Sequence, residues 1–125
     1  MIMTVEKLLK THACDEQVES FRRLFPPSRY PRGVRITVAL CEQHADVFDW
    51  RYAVQHFVPG DMWANLAAFS RLTRKERTRH SAAVVRFSYH QSATNDEKLR
   101  LTSVELFHAE ARAFALLIRD PKARK

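Results

Sequence analysis

Hydrophobic residues recur at helical spacing most clearly in the last third of the chain. Apolar positions three or four residues apart share one face of an α-helix, so this run predicts an amphipathic helix of about residues 97–119. Asp96 marks its acidic start and Pro121 its end, with a loop before it at residues 91–95 and a frayed basic tail after it at residues 121–125. The apolar stripe consists of Leu99, Ser103, Leu106, Phe107, Ala111, Phe114, Leu117 and Ile118.

Four shorter helices are predicted where an acidic or hydroxyl residue precedes a stretch with helical spacing. Side chains of this kind accept hydrogen bonds from the unpaired N–H groups of a first helical turn, or stabilise that turn by their charge. Pro26 and the Pro59-Gly60 pair end two of these helices. The predicted starts are Thr4 for residues 6–10, Asp15 for residues 15–25, Asp49 for residues 50–57 and Asp61 for residues 62–72.

Two segments fit both a strand and a helix. Apolar and polar residues alternate over residues 34–40, as in a strand, yet Thr37 is also a suitable cap for a helix of residues 38–45. We favour a short extended stretch at residues 34–36 followed by that helix. Residues 82–90 alternate in the same way, and the strand and helix alternatives both stay open there. As a helix, this second segment would align Ala82, Val85 and Tyr89.

Together these patterns predict a mainly α, single compact domain of residues 1–125, with five or six helices and at most one short strand pair. A chain of 125 residues with 46% hydrophobic residues suffices for one core, in which we expect Phe107 and Phe114. No apolar run approaches the ~18 residues of a membrane span, and no secretory signal is evident. The expected location is therefore the cytoplasm of a bacterial host cell.

The net charge is +7, and nearly all of the excess lies in the second half of the chain. It concentrates in residues 71–86, here termed the basic segment, in which Glu76 is the only acid. Such a cluster suits an anionic partner, because guanidinium groups match the oxygens of phosphates and carboxylates. The alternative is a solvated helix face without a partner. The candidate binding residues are Arg71, Arg74, Lys75, Arg77, Arg79 and Arg86.

Candidate metal and catalytic residues are few. The pairs His12-x-Cys14 and Cys41-x-x-His44 supply the thiols and imidazoles that zinc binds in tetrahedral sites. Their spacing differs from that of zinc fingers, so we expect no metal and no cofactor. The six histidines occupy no recognised catalytic motif, and a chain with two glycines has no Gly-rich phosphate loop. The sequence therefore predicts a protein that is not an enzyme.

A series of short motifs runs through the first half of the chain. They are an Ala-Cys pair ending at Cys14, a helix ending in Phe25-Pro26, a helix capped by Thr37, and an Asp49-Trp50 pair at the start of the next helix. Over roughly residues 8–57 this order resembles a module of small uncharacterised phage and prophage proteins, whose Ala- and Phe-rich last helix is also similar. Residues 73–89 have no counterpart. The resemblance implies a phage or mobile-element origin, a helix after Thr37, and structural roles for Cys14, Phe21, Phe25 and Trp50.

The expected function is binding without catalysis, with the basic segment as the contact surface. From the resemblance alone, the expected role is that of a phage or mobile-element accessory protein, such as an inhibitor of a host defence nucleoprotein of the anti-CRISPR type. Its partner would be that nucleoprotein or an acidic protein surface, and not a membrane. One alternative is a general nucleic-acid-binding protein that uses the basic segment. Another is a structural or assembly factor whose charge only keeps it in solution.

Overall fold

The computed structural model describes residues 1–125 as a mainly helical protein with one short antiparallel strand pair, which confirms the predicted fold class. There are seven α-helices, because residues 82–90, left open by the sequence, fall largely within a helix that also contains most of the basic segment. The strands are β1 (Ile2–Met3) and β2 (Val34–Arg35). The helices are α1 (Val5–Lys10), α2 (Asp15–Leu24), α3 (Val38–Gln43), α4 (Trp50–Phe57), α5 (Met62–Leu72), α6 (Arg74–Tyr89) and α7 (Ala93–Arg119), followed by a 3-10 helix at Pro121–Arg124.

Five of the seven helices begin at a side chain that accepts a hydrogen bond from the first turn. Four of these caps were predicted from the sequence, namely Thr4, Thr37, Asp49 and Asp61. For example, Asp61 Oδ2 accepts from the main-chain nitrogen of Ala64 at 2.8 Å. Thr37 begins α3 shortly after β2, which confirms the extended stretch followed by a helix. Local hydrogen bonding therefore accounts for most helix starts in the first half of the chain.

Helix α7 begins earlier than the sequence indicated. Ser92 Oγ accepts from the main-chain nitrogen of Asn95 at 3.1 Å, so Ser92 is the cap and the predicted loop of residues 91–95 is wrong over most of its length. Asp96 lies in the first turn of α7, where the partial positive charge of the helix terminus favours an acid. The connection from α6 shrinks to residues 90–92, and such a short turn holds the two helices antiparallel.

The C-terminal residues form a short helix that packs against the protein, which differs from the predicted frayed tail. The 3-10 helix at Pro121–Arg124 packs against α5 and α7. Arg71, near the end of α5, donates to the main-chain oxygens of Ala123 and Lys125 at 3.2 and 2.8 Å. Arg124 donates to carbonyl groups in the last turns of α7. The basic composition of the tail indicated solvent exposure. In the structure, the guanidinium group of Arg124 instead donates to main-chain carbonyl groups.

The hydrophobic core has two parts that meet at a small cavity. The larger part lies between α3, α4, α5 and the second half of α7, and the smaller part joins β1, α1, α2 and β2. Phe48 and Phe57 contact both parts. The cavity has a volume of about 70 Å³, and its walls include Phe21, Cys41, Trp50 and Phe114. Since residues of both parts line this cavity, the two parts of the core adjoin there.

Helix α6 and the first half of α7 form a two-helix extension, here termed the helical arm (residues 74–108). The side of α6 that faces α7 carries less exposed residues at alternating spacings of three and four, as in a coiled coil: Glu76, His80, Ala83 and Phe87. His80 Nδ1 lies 3.1 Å from Thr102 Oγ1 across this seam. Only one residue of α6 is buried, whereas the buried residues of α7 all lie between positions 109 and 117. The arm therefore contributes little to the core.

The two phenylalanines expected in the core have different environments. Phe114 is 2% exposed and lies in the larger part of the core, as predicted. Phe107 is 39% exposed because it lies on the arm, before the part of α7 that packs on α3, α4 and α5. The prediction that Phe107 is a core residue is therefore wrong. The apolar stripe continues along α7 beyond the point at which the core ends.

Candidate binding surface on the helical arm

The basic segment crosses a break between two helices. Thr73 separates α5 from α6 and is fully buried, and its hydroxyl donates to the main-chain oxygen of Phe69 at 2.9 Å. Helix α6 then runs without glycine or proline for 16 residues, and its four arginines favour the helical state. All six candidate side chains of the basic segment are exposed, but the two helices direct them to different sides.

Two of the six candidates are engaged with the protein itself. Arg71 binds main-chain oxygens of the C-terminal 3-10 helix, and Arg77 donates from Nη2 to the main-chain oxygen of Ser70 at 2.6 Å. Arg77 Nε also donates to Thr73 Oγ1 at 3.2 Å. Arg77 further lies close enough to Glu110 to lower its pKa, although burial raises that pKa overall. Arg77 therefore fastens the start of the arm to the end of α5, whereas Arg71 holds the C-terminal residues against α5.

Three other candidates share one side of α6. Lys75, Arg79 and Arg86 are separated by four and seven residues, so their side chains project toward the same flank. They border a groove between α6 and α7, which consists of two adjoining depressions of about 360 and 370 Å³. Arg74 is exposed but borders neither depression. The structure thus divides the basic segment, and half of its candidates face one groove.

Helix α7 contributes two cations to this groove that the sequence analysis missed. Lys98 borders the outer depression, and Arg112 borders the inner one. Together with Glu105 they recur every seven residues, which places all three on one stripe of α7. This spacing was visible in the sequence, but its significance depends on the antiparallel pairing with α6. We term the surface formed by Lys75, Arg79, Arg86, Lys98 and Arg112 the basic groove.

Acidic residues neutralise only part of the basic groove. Arg79 lies 3.5 Å from a carboxylate oxygen of Glu105, and Arg112 lies 3.5 Å from one of Glu42. These ion pairs are largely exposed, so each contributes little to stability and remains open to exchange with a competing anion. The other three cations, Lys75, Arg86 and Lys98, make no salt bridge. Glu76 also borders the inner depression, which therefore has as many carboxylates as Lys and Arg side chains. The positive excess of the basic groove lies in the outer depression, where an anionic ligand would neutralise Arg86 and Lys98.

Four apolar side chains also line the basic groove, and we term them its apolar floor. Ala82, Ala83 and Leu101 line the outer depression, and Val104 lines the inner one. Leu101 is 57% exposed and Val104 is 54% exposed, three residues apart on the same side of α7. Exposed aliphatic side chains that adjoin in this way are typical of interaction surfaces. The groove thus combines cationic edges with an apolar floor.

The candidate zinc ligands occupy dissimilar environments. Cys14 is exposed and directly precedes α2, whereas Cys41 is buried in the larger part of the core. His44 packs edge-to-face on Phe25, with ring centroids 5.3 Å apart. No three histidine, cysteine or acidic side chains are grouped so that they could hold a metal ion. The absence of zinc remains a prediction for elemental analysis of the purified protein.

The two thiols are expected to differ strongly in reactivity. Burial, with a smaller effect of Glu42, raises the pKa of the Cys41 thiol to about 12. Since the thiolate is the reactive form, Cys41 should resist a thiol reagent at pH 8, whereas exposed Cys14 should react within minutes. The measurement is the number of thiols that react with a chromogenic disulfide in native buffer and in denaturant. Reaction of both thiols in the native protein at the same rate would contradict the buried position of Cys41.

None of the α-helices is both long and apolar enough to cross a membrane. Comparison of the chain with known protein families, with curated proteins and with solved structures finds no match. Function is therefore argued from the chemistry of the basic groove.

Proposed function

We propose that this chain is a non-enzymatic binding protein, and that it acts for a phage or other mobile element by inhibiting a defence nucleoprotein in the host cytoplasm. The observation that carries the binding role is the basic groove, in which three cations without salt bridges border an exposed apolar floor. The phage context is supported only by the resemblance of residues 8–57. A nucleoprotein offers both acidic side chains and phosphates to such a groove.

A role without catalysis fits the chemistry of the nucleophile candidates. Cys41 is buried and its pKa is raised to about 12, so its thiol is protonated at neutral pH. Cys14 is exposed beside the start of α2, away from the basic groove. The basic groove is lined mainly by charged and aliphatic side chains, with His108 as its only histidine.

A general nucleic-acid-binding function is the second candidate. Arg79 and Lys75 lie one helical turn apart, and a row of such cations suits successive phosphates of a nucleic-acid backbone. Binding of that kind weakens steeply with salt, because each neutralised phosphate releases counterions. Competition by free RNA or duplex DNA would favour this candidate over inhibition through protein contacts.

The proposed function is tested by reversing the charge of the three cations without salt bridges. We expect the variant Lys75→Glu/Arg86→Glu/Lys98→Glu to lose partner binding by at least about tenfold, since attraction becomes repulsion at three positions. Pull-down from a bacterial lysate, with and without nuclease and with identification by mass spectrometry, measures binding. Phage plating on a host with an active CRISPR system measures inhibition. Melting should stay close to that of the wild type, because all three side chains are exposed.

A matched control reverses three cations far from the arm. Arg29, Arg32 and Arg35 are exposed in the loop before β2 and in β2 itself, so their replacement by glutamate makes the same change in net charge. The control variant should keep both partner binding and inhibition. Equal loss in the two variants would mean that net charge alone matters, and full activity of the groove variant would refute the proposed role of the basic groove.

A further inference from the structure

The apolar floor of the basic groove distinguishes a protein partner from a nucleic acid. A phosphate backbone gains nothing from contact with Leu101 and Val104, which are more than half exposed. Burial of these aliphatic side chains against another apolar surface lowers the free energy, and the gain increases with the area covered. The floor lies between the same cations that border the groove, so one ligand would contact both.

The carboxylate of Glu105 also disfavours a continuous phosphate backbone. It borders both depressions of the groove and is paired with Arg79, so the positive charge is interrupted halfway along. Cations without a salt bridge remain on either side of it. Arg86 and Lys98 lie toward the tip of the arm, and Lys75 lies toward the body, where Glu76 also borders the groove. A ligand with separated carboxylates matches this distribution better than one with a charge at every residue.

The dimensions of the groove suit an α-helix. Lys75 and Arg86 are eleven residues apart on α6, and at the helical rise of about 1.5 Å per residue they are separated by ~16 Å along the arm. Three turns of a bound helix cover this distance. Two antiparallel helices with an open flank also provide the grooves into which the side chains of a third helix pack.

A second copy of this chain is a poor occupant. If two basic grooves faced each other, the cations without salt bridges would meet the same cations of the other copy, and like charges brought together across an interface oppose association. An anionic partner therefore fits the charge of the basic groove better than a second copy does.

We infer that the basic groove, as the contact surface of the proposed function, binds an acidic amphipathic α-helix of a protein partner. The apolar face of that helix packs on Ala82, Leu101 and Val104. Its carboxylates pair with Arg86 and Lys98 near the tip of the arm and with Lys75 near the body. This inference rests on the proposed function and specifies the kind of partner surface that the groove recognises.

The test uses the full chain and a labelled model peptide of about 16 residues, which spans ~24 Å as a helix. Its leucines recur at spacings of three and four, and glutamates flank them. Fluorescence anisotropy should show saturable binding, with a gain in helical circular dichroism. A scrambled peptide of the same composition, without an apolar face, should bind at least about tenfold more weakly, as should the model peptide to Leu101→Ser/Val104→Ser. That variant keeps the charge of the groove and, since both side chains are largely exposed, should keep its fold.

Single-stranded RNA of similar length is the competing probe. If the inference holds, RNA binds more weakly than the peptide and is insensitive to Leu101→Ser/Val104→Ser. No binding of the peptide, equal binding of its scrambled form, or tighter binding of RNA would overturn the inference. If RNA binds and only the charge-reversed groove variant abolishes its binding, the basic groove stands as a contact surface while the helix partner is excluded. If neither probe responds to charge reversal, the proposed function itself is contradicted.

Discussion

Replacement of Phe114 by alanine is expected to lower the free energy of unfolding by about 3–5 kcal/mol. The phenyl ring is 2% exposed, and it packs against the indole of Trp50 with ring centroids 5.7 Å apart. Its removal leaves a cavity that the surrounding helices can close only in part. Urea unfolding followed by circular dichroism measures the change.

Phe107→Ala is the matched control, because it makes the same chemical change about two turns earlier on the same helix. With its side chain 39% exposed on the arm, it should cost roughly 1 kcal/mol or less. Equal losses for the two variants would show that the arm packs into the core in solution, contrary to the structure. The comparison thus measures where along α7 the core ends.

The same pair of residues shows what the sequence could predict. Helical spacing is a local property, so the existence of α7 and the caps at Thr37 and Asp61 followed from the order of residues. Whether a given turn of a helix has neighbours is a tertiary property. The stripe on α7 passes from the α6 seam to the core without a change in period, and for that reason Phe107 and Phe114 looked alike.

The candidate site was predictable to a similar extent. The basic segment was evident from charge, and Lys75, Arg79 and Arg86 do border one groove. Arg71 and Arg77 could not be told apart from them, because their acceptors are carbonyl groups that carry no sequence signal. The contribution of α7 to the basic groove was missed because it requires the register between two helices, which a pattern on either one does not contain.

Replacement of Gly33 by alanine is expected to destabilise the protein by about 2–5 kcal/mol, through backbone strain and steric overlap. Its φ of 89° lies in a region that residues with a Cβ rarely adopt. A Cβ built there would lie 2.6 Å from the main-chain oxygen of Met3. Met3 pairs with Val34 across the two strands, and both side chains are buried in the smaller part of the core. Thermal unfolding and limited proteolysis at the N-terminus measure the effect.

Gly60→Ala separates backbone strain from steric overlap. Gly60 also has a positive φ, but a Cβ at this position would overlap no neighbouring atom. Its φ is 100°, yet a Cβ there would meet no atom within 4 Å. We expect a loss of only about 1–2 kcal/mol, the cost of the left-handed backbone. If Gly33→Ala is no worse than Gly60→Ala, then β1 moves aside at little cost, and the strand pair does not fix the smaller part of the core. A larger loss for Gly33→Ala means that the first residues of the chain are held in place by this close approach of two backbones.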